Sequence, residues 1–399
     1  MNIIKHYLFL LLYAGFISCS LHAQQVDTGL APEVIDLNSK DVSLELERKL
    51  PYLKEPYISS KPTDLNDGIL VGELGVDGGD KEKILAFAQE ISKPSNSPKN
   101  GNTDSLLLAH KGTLVFESYF RRGRANYPHY QMSITKSYTG LAIGRAIQLG
   151  HLKMKDLDRP IHEFLKEIDT KDIVAGAENI TLHEAMHMYS GIRLDREIAR
   201  KLRSKPEQLK GQGQIHAYLK YSSPIDMMDR KFKYQASDPA MTMQVLEAVV
   251  PGSAKDFINN ELMAPLGITS YHWQDDISGL PKSAAGCSIR SRDMLKFGLL
   301  LMNKGKWKGK QLISSDFIAR AISPIIKTYR STSYGYFWWI DDVKVGSKTY
   351  HTIQGRGAGG QFIYMLPELD LIAVMTSHNK GMGKMLHVLP PKLVAAFQE

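Results

Sequence analysis

Strand-length apolar runs sit near both ends of this chain, and helical periodicity fills the middle; no other feature constrains the fold as much. Residues 106–109 and 113–120 read as a hairpin about Lys111-Gly112. A second set of runs follows at 336–340, 348–353, 361–366 and 371–375. Helical spacing dominates from Ser133 to about Leu266, with further helices over 81–91, 292–303 and 392–397. Strands at both ends with helices inserted between them predict an α+β fold. Its antiparallel sheet is built from the N- and C-terminal segments and flanked by helices, and an all-α lobe is inserted at about 150–285. A site is expected between the two parts, a usual place for pockets. At 399 residues and 43% hydrophobic content the chain can bury a large core.

Residues 1–23 read as an export signal. Lys5 supplies the charge, residues 7–17 the apolar core, and Leu21-His22-Ala23 a cleavage site. Residues 24–75 are polar and proline-dotted, an N-terminal extension to a domain over 76–399. Phe16-Ile17-Ser18-Cys19 offers the alternative of a lipoprotein anchored through Cys19. Either way the protein is expected to be exported, periplasmic or secreted in the first case and anchored through Cys19 in the second, with no transmembrane span, since the apolar core is too short. Cys287 then has no partner, so no disulfide is expected. Its neighbours Ala284-Ala285-Gly286 suggest a small buried side chain, not a nucleophile. The net charge of +8 is dispersed, with its densest cluster (Arg121, Arg122, Arg124) in a turn. That argues against a nucleic-acid groove.

The chemistry begins at Ser133-Ile134-Thr135-Lys136. A serine hydroxyl is a weak nucleophile unless a base sits beside it. Residues three apart on a helix share a face, so the Lys136 amine can reach the Ser133 oxygen. At a helix start the Ser133 N–H lacks an intrahelical partner and can face a developing oxyanion. A second tetrad, Ser377-His378-Asn379-Lys380, follows an apolar run and enters a turn, where it reads as punctuation.

Downstream come Tyr234, within Phe232-Lys233-Tyr234-Gln235-Ala236-Ser237-Asp238, and Gly355-Arg356-Gly357-Ala358-Gly359-Gly360-Gln361. A Ser-x-x-Lys, then a tyrosine motif, then a glycine-rich strand entry resembles the penicillin-recognising serine hydrolases. Similar words recur at His110-Lys111-Gly112, Ser190-Gly191-Ile192, Pro265-Leu266-Gly267-Ile268, Arg292-Asp293-Met294 and Pro367-Glu368-Leu369-Asp370. The resemblance spans roughly residues 80–395 and is closest to class C β-lactamase-like esterases and amidases, 6-aminohexanoate-dimer hydrolase-like proteins included. It implies an acyl-enzyme on Ser133, Lys136 as base and Tyr234 as proton relay. It also implies oxyanion or substrate contacts from Gly357, Ala358 and Gly359, with no cofactor and no metal. The substrate would be a small ester or amide; β-lactamase or D-Ala-type peptidase activity, or a catalytically inactive envelope protein of the same fold, are the alternatives.

Two positions depart from that pattern. Ala236 stands where an asparagine or serine is usual, with Ser237 beyond. Gln354-Gly355-Arg356 replaces the Lys/His-Thr-Gly that holds a β-lactam carboxylate. Arg356 is either a substitute carboxylate clamp or a solvated loop arginine. Two other motifs mislead. His183-Glu184-Ala185-Met186-His187 spells a zinc-protease pattern, but Arg193 stands at the distance where a third ligand belongs. Gly355-x-Gly357-x-x-Gly360 matches a dinucleotide fingerprint, yet it opens a strand pattern and not a helix. No Gly-x-Ser-x-Gly elbow is present.

Overall fold

A computed structural model describes residues 30–93, 101–328 and 332–398; the expected export signal and Cys19 lie outside them. Among the described residues the main sheet has ten strands. Its antiparallel path runs Tyr57–Ser59, Thr113–Tyr119, Thr103–His110, Leu371–Ser377, Gln361–Leu366, Lys348–Gly357, Trp339–Val345, Ser333–Tyr334 and Ile326–Lys327. The tenth strand, Leu70–Val71, joins Thr113–Tyr119 in parallel. The N-terminal hairpin thus meets the C-terminal strands in one sheet: Leu107 lies opposite Val374 and Ala109 opposite Ile372.

Both faces of this sheet are covered, which is why its central strands are apolar at nearly every position. Side chains alternate across a strand. Leu106, Leu108, Phe362, Tyr364, Ala373 and Met375 pack with the helices Lys81–Ser92 and Met385–Phe397. Leu107, Ala109, Ile363, Met365, Ile372 and Val374 face the larger core, shared with the helix Ser291–Met302 and the inserted helical part. In that part Thr135–Gln148 packs on Ser237–Val249, which in turn packs on Leu182–Met186. Preceding residues also dock: Val34 and Leu50 bury against Tyr127, and Tyr57–Ser59 pairs with the sheet.

Three elements differ from the sequence reading. Ser133 does not open the α-helix; it sits in a 3-10 turn, Met132–Ile134, and the helix starts at Thr135. The aromatic run from Tyr336 reads as a strand, but Phe337 has φ +62° and turns the chain, so the strand runs from Trp339 to Val345. The last helix begins at Met385 and passes through Pro390 and Pro391. A proline pair signals a break, but burial of Leu389, Leu393 and Val394 against the sheet outweighs it.

Candidate active site

The turn carrying Ser133 is held from several sides. Gln131 donates its N–H to Cys287 O at 2.8 Å and its side-chain amide to His129 O at 2.8 Å. Tyr138 donates to Gln131 Oε1, and Thr135 Oγ1 donates to Met132 O at 2.7 Å. Met132 stands at φ +50°, a left-handed conformation that costs a non-glycine residue about 1–3 kcal/mol. These bonds over-determine a strained corner and fix where the following serine points.

Lys136 Nζ lies 3.0 Å from Ser133 Oγ, and it donates to Ala284 O at 2.7 Å. The lysine is buried and forms no ion pair among the described residues. Burial without a compensating carboxylate lowers its pKa to about 7. A neutral amine spends one N–H on Ala284 O and keeps a lone pair to accept the serine proton.

Tyr234 forms the wall opposite. Its ring centroid is 4.8 Å from Lys136 Nζ, and it packs against Trp339 at 5.4 Å and Tyr334 at 6.1 Å. The loop that carries it is pinned by Asp238, a fully buried carboxylate. Asp238 Oδ1 accepts from Ser190 Oγ (2.9 Å), Gln235 Nε2 (2.6 Å) and Ser237 Oγ (2.8 Å). Burial nevertheless raises its pKa to about 6, against those hydrogen bonds. The Ser190-Gly191 word therefore has a physical role: Ser190 anchors the helix start behind Tyr234. Ser237 spends its hydroxyl on Asp238 and so does not stand in for the polar side chain missing at Ala236.

The third wall is the end of strand Lys348–Gly357. Its pairing with Trp339–Val345 ends at Gln354, opposite Trp339, while its other edge stays paired to Gln361. Residues 355–357 thus present one edge with no strand partner to the serine turn. The approach is close: a Cβ on Gly357 would fall 2.4 Å from Gln131 O, and one on Gly355 would fall 3.3 Å from Ile134 Cγ2. Gly359 and Gly360 take φ +96° and +94° in the turn, which suits residues without a Cβ. Gln361 ties that turn to Ser377 through both its amide oxygen and nitrogen.

Arg356 is not a solvated loop residue. It lies in the strand with its side chain 10% exposed; Nε donates to Gln354 Oε1 at 2.7 Å and one terminal nitrogen pairs with Asp341 at 3.3 Å. Its guanidinium stacks over Trp339 at 4.9 Å. The indole that supports Tyr234 is thereby held from behind.

The zinc-protease spelling has other employment. Glu184 completes a capping box with Thr181 and pairs with Arg230. His183 Nδ1 meets the Tyr336 hydroxyl at 2.6 Å, and His187 Nδ1 meets His183 O at 2.7 Å. Cys287 is buried, and burial pushes its thiol well above the usual range. Sequence reasoning missed Asp238 and Trp339. Asp238 could have been found as the acidic residue opening the helix after the tyrosine motif; Trp339 left no local signal.

Comparison with known proteins places the fold and the family. A curated 6-aminohexanoate-dimer hydrolase of Paenarthrobacter ureafaciens is 20% identical over 318 residues, 69% of this chain and 72% of that protein. A solved Bacillus anthracis structure, provisionally described as a 6-aminohexanoate-dimer hydrolase, superposes with a TM-score of 0.63 at 18% identity, covering 90% of this chain and 92% of the other. A class C beta-lactamase structure gives 0.60 at 15% identity, covering 80% and 95%. The family described as Beta-lactamase matches residues 100–394, and the chain belongs to that family of hydrolases.

Proposed function

We propose that the protein is a serine hydrolase that cleaves a carboxylic ester or amide through an acyl-enzyme on Ser133. The observation that carries this reading is the 3.0 Å contact between Ser133 Oγ and a buried Lys136 whose pKa falls to about 7. Ser133 Oγ attacks the carbonyl carbon while its proton passes to Lys136 Nζ. The negative charge on the carbonyl oxygen is met by the Ser133 N–H and by the N–H of Gly357 or Ala358; the Gly359 N–H is spent on Gly381 O. Tyr234, beside Lys136, relays the proton to the leaving alkoxide or amine. Water then attacks the acyl carbon, and Ser133 is released with its proton restored.

The departures select among substrates. Without a Lys/His-Thr-Gly, and with Arg356 committed to Asp341 and Gln354, Arg356 does not replace the cation that holds a β-lactam carboxylate in the resembling enzymes. Small esters and linear amides are therefore preferred to β-lactams. We read residues 76–399 as the body of the hydrolase domain, to whose sheet residues 57–59 and 70–71 of the preceding extension add two strands, and residues 1–23 as an export signal, which makes the enzyme periplasmic or secreted. Among the described residues no helix is long and apolar enough to cross a membrane.

The test is turnover of three substrates: a p-nitrophenyl alkanoate, the linear dimer of 6-aminohexanoate and a chromogenic cephalosporin. The ester or the linear amide is expected to give the largest kcat/KM. Efficient cephalosporin turnover with neither of the others cleaved would reverse the assignment.

A further inference from the structure

A cavity of about 580 Å³ opens beside the glycine-rich turn. Met132 and Ala358 form part of its wall, so it adjoins the candidate active site. His129 and His378 line it too, as do Leu44 and Arg48 of the short N-terminal helix Leu44–Lys49. From that helix the buried Glu47 reaches both imidazoles. Its Oε1 contacts His129 Nδ1 and lies 3.6 Å from His378 Nε2, and one donor atom from each residue falls within 4.8 Å of the other two. The two rings stand 5.0 Å apart and nearly perpendicular.

The donor set of this cluster, two imidazoles and a carboxylate, is one that suits a divalent metal ion. His378 Nδ1 meets Asp104 Oδ2 at 2.5 Å; in the neutral ring with its proton on Nδ1, the Nε2 lone pair faces Glu47. That Nε2 is buried without a hydrogen-bond partner among the described residues, on a side chain 10% exposed. A carboxylate behind a histidine whose other nitrogen is free is how proteins orient an imidazole toward zinc. Donors about 2.0–2.2 Å from a tetrahedral ion lie about 3.4 Å from one another; Glu47 Oε1 and His378 Nε2 are 3.6 Å apart, while Glu47 Oε1 and His129 Nδ1 touch directly and would have to separate to admit an ion between them. Asp104 is itself held by the Arg122 N–H, and Glu47 Oε2 accepts the Tyr130 N–H at 3.1 Å.

We propose that Glu47, His129 and His378 bind one divalent transition-metal ion, zinc by ligand type, with Asp104 orienting His378 and the fourth position open to the cavity. The ion would clamp the N-terminal helix to the strand His129–Tyr130, which leads directly into the Ser133 turn. The sequence hides this site because its three ligands lie far apart along the chain, and the zinc-like spelling at 183–187 draws attention elsewhere.

The experiment uses the full chain, stripped with EDTA and desalted, titrated with ZnCl2 by calorimetry and then assayed for retained zinc by elemental analysis. One zinc per chain is expected, together with a zinc-dependent rise in melting temperature. His378→Gln and Glu47→Gln should abolish both effects, and Asp104→Asn should weaken binding about 10- to 100-fold. His183→Gln should change neither. Absence of stoichiometric zinc in the wild type would overturn the site, as would zinc retained undiminished by His378→Gln. Should the variants fail to fold, cobalt loading of the wild type decides: the intense visible bands of four-coordinate cobalt support the site, and their absence refutes it.

Discussion

Gly357→Ala is the substitution whose effect the structure specifies most fully. The added methyl would fall 2.4 Å from Gln131 O and 2.9 Å from Gln361 Cβ. Carbon atoms essentially never come within 3.0 Å of such a neighbour. Either the strand end or the Ser133 turn must therefore retreat by about 0.6 Å or more, which is costly in a close-packed interior. Gln131 cannot yield easily, because its backbone N–H donates to Cys287 O, its side-chain nitrogen donates to His129 O and its side-chain oxygen accepts from Tyr138. The strand edge is expected to move, and with it the N–H proposed to meet the oxyanion. Losing one such donor typically removes about 10²–10³ from kcat, and a misplacement near 1 Å costs about 10². We therefore expect kcat for a p-nitrophenyl ester to fall about 100-fold with KM changed little, and stability to drop by about 1–3 kcal/mol from overpacking. Steady-state kinetics and a thermal melt on the same preparation measure both. A folded Gly357→Ala enzyme with kcat within about threefold of wild type would refute the oxyanion role of this edge.

Other consequences are checked as directly. Since Lys136 must be neutral to accept a proton, kcat/KM should rise with pH through about 7 and level off above it. The same group sets a stability slope. Its folded pKa lies below the ordinary 10.5, so between about 7 and 10.5 the unfolded chain binds the extra proton and stability rises with pH. Lys136→Met should thus melt higher than wild type at pH 7, with the gap closing toward pH 10.5, while losing activity. Asp238→Ala strands donors on Ser190, Gln235 and Ser237; chemical denaturation should show a loss of about 2–3 kcal/mol, with kcat reduced through Tyr234. Cys287 should resist a thiol reagent until denaturant is added, and labelling of the native chain at that position would contradict its burial.

How much of this could be read from residues alone follows from how local each signal is. The sheet was legible because both its faces are buried: residues 361–366 and 371–375 carry an apolar message that only a strand between two layers satisfies. Strand Trp339–Val345 was harder, because it carries Asp341, Asp342 and Lys344 and alternates in burial. The aromatic residues just before it look more strand-like but serve a turn, where Phe337 O accepts the Ser137 hydroxyl. Ser133 and Lys136 are one helical turn apart and could be paired by spacing alone. Tyr234 and the 355–360 segment needed the family resemblance, since nothing local links them to Ser133. Asp238, Trp339 and the Glu47–His129–His378 cluster depend on contacts between distant segments, and periodicity carries no record of those.

The account rests on Ser133 being the nucleophile. Intact-mass analysis after treatment with a fluorophosphonate tests this most directly, on the wild type and on Ser133→Ala. A single phosphonyl adduct on the wild type, mapped to the peptide containing Ser133 and absent from the variant, is the expected result. An unlabelled wild type, or an adduct that survives the substitution, would contradict it.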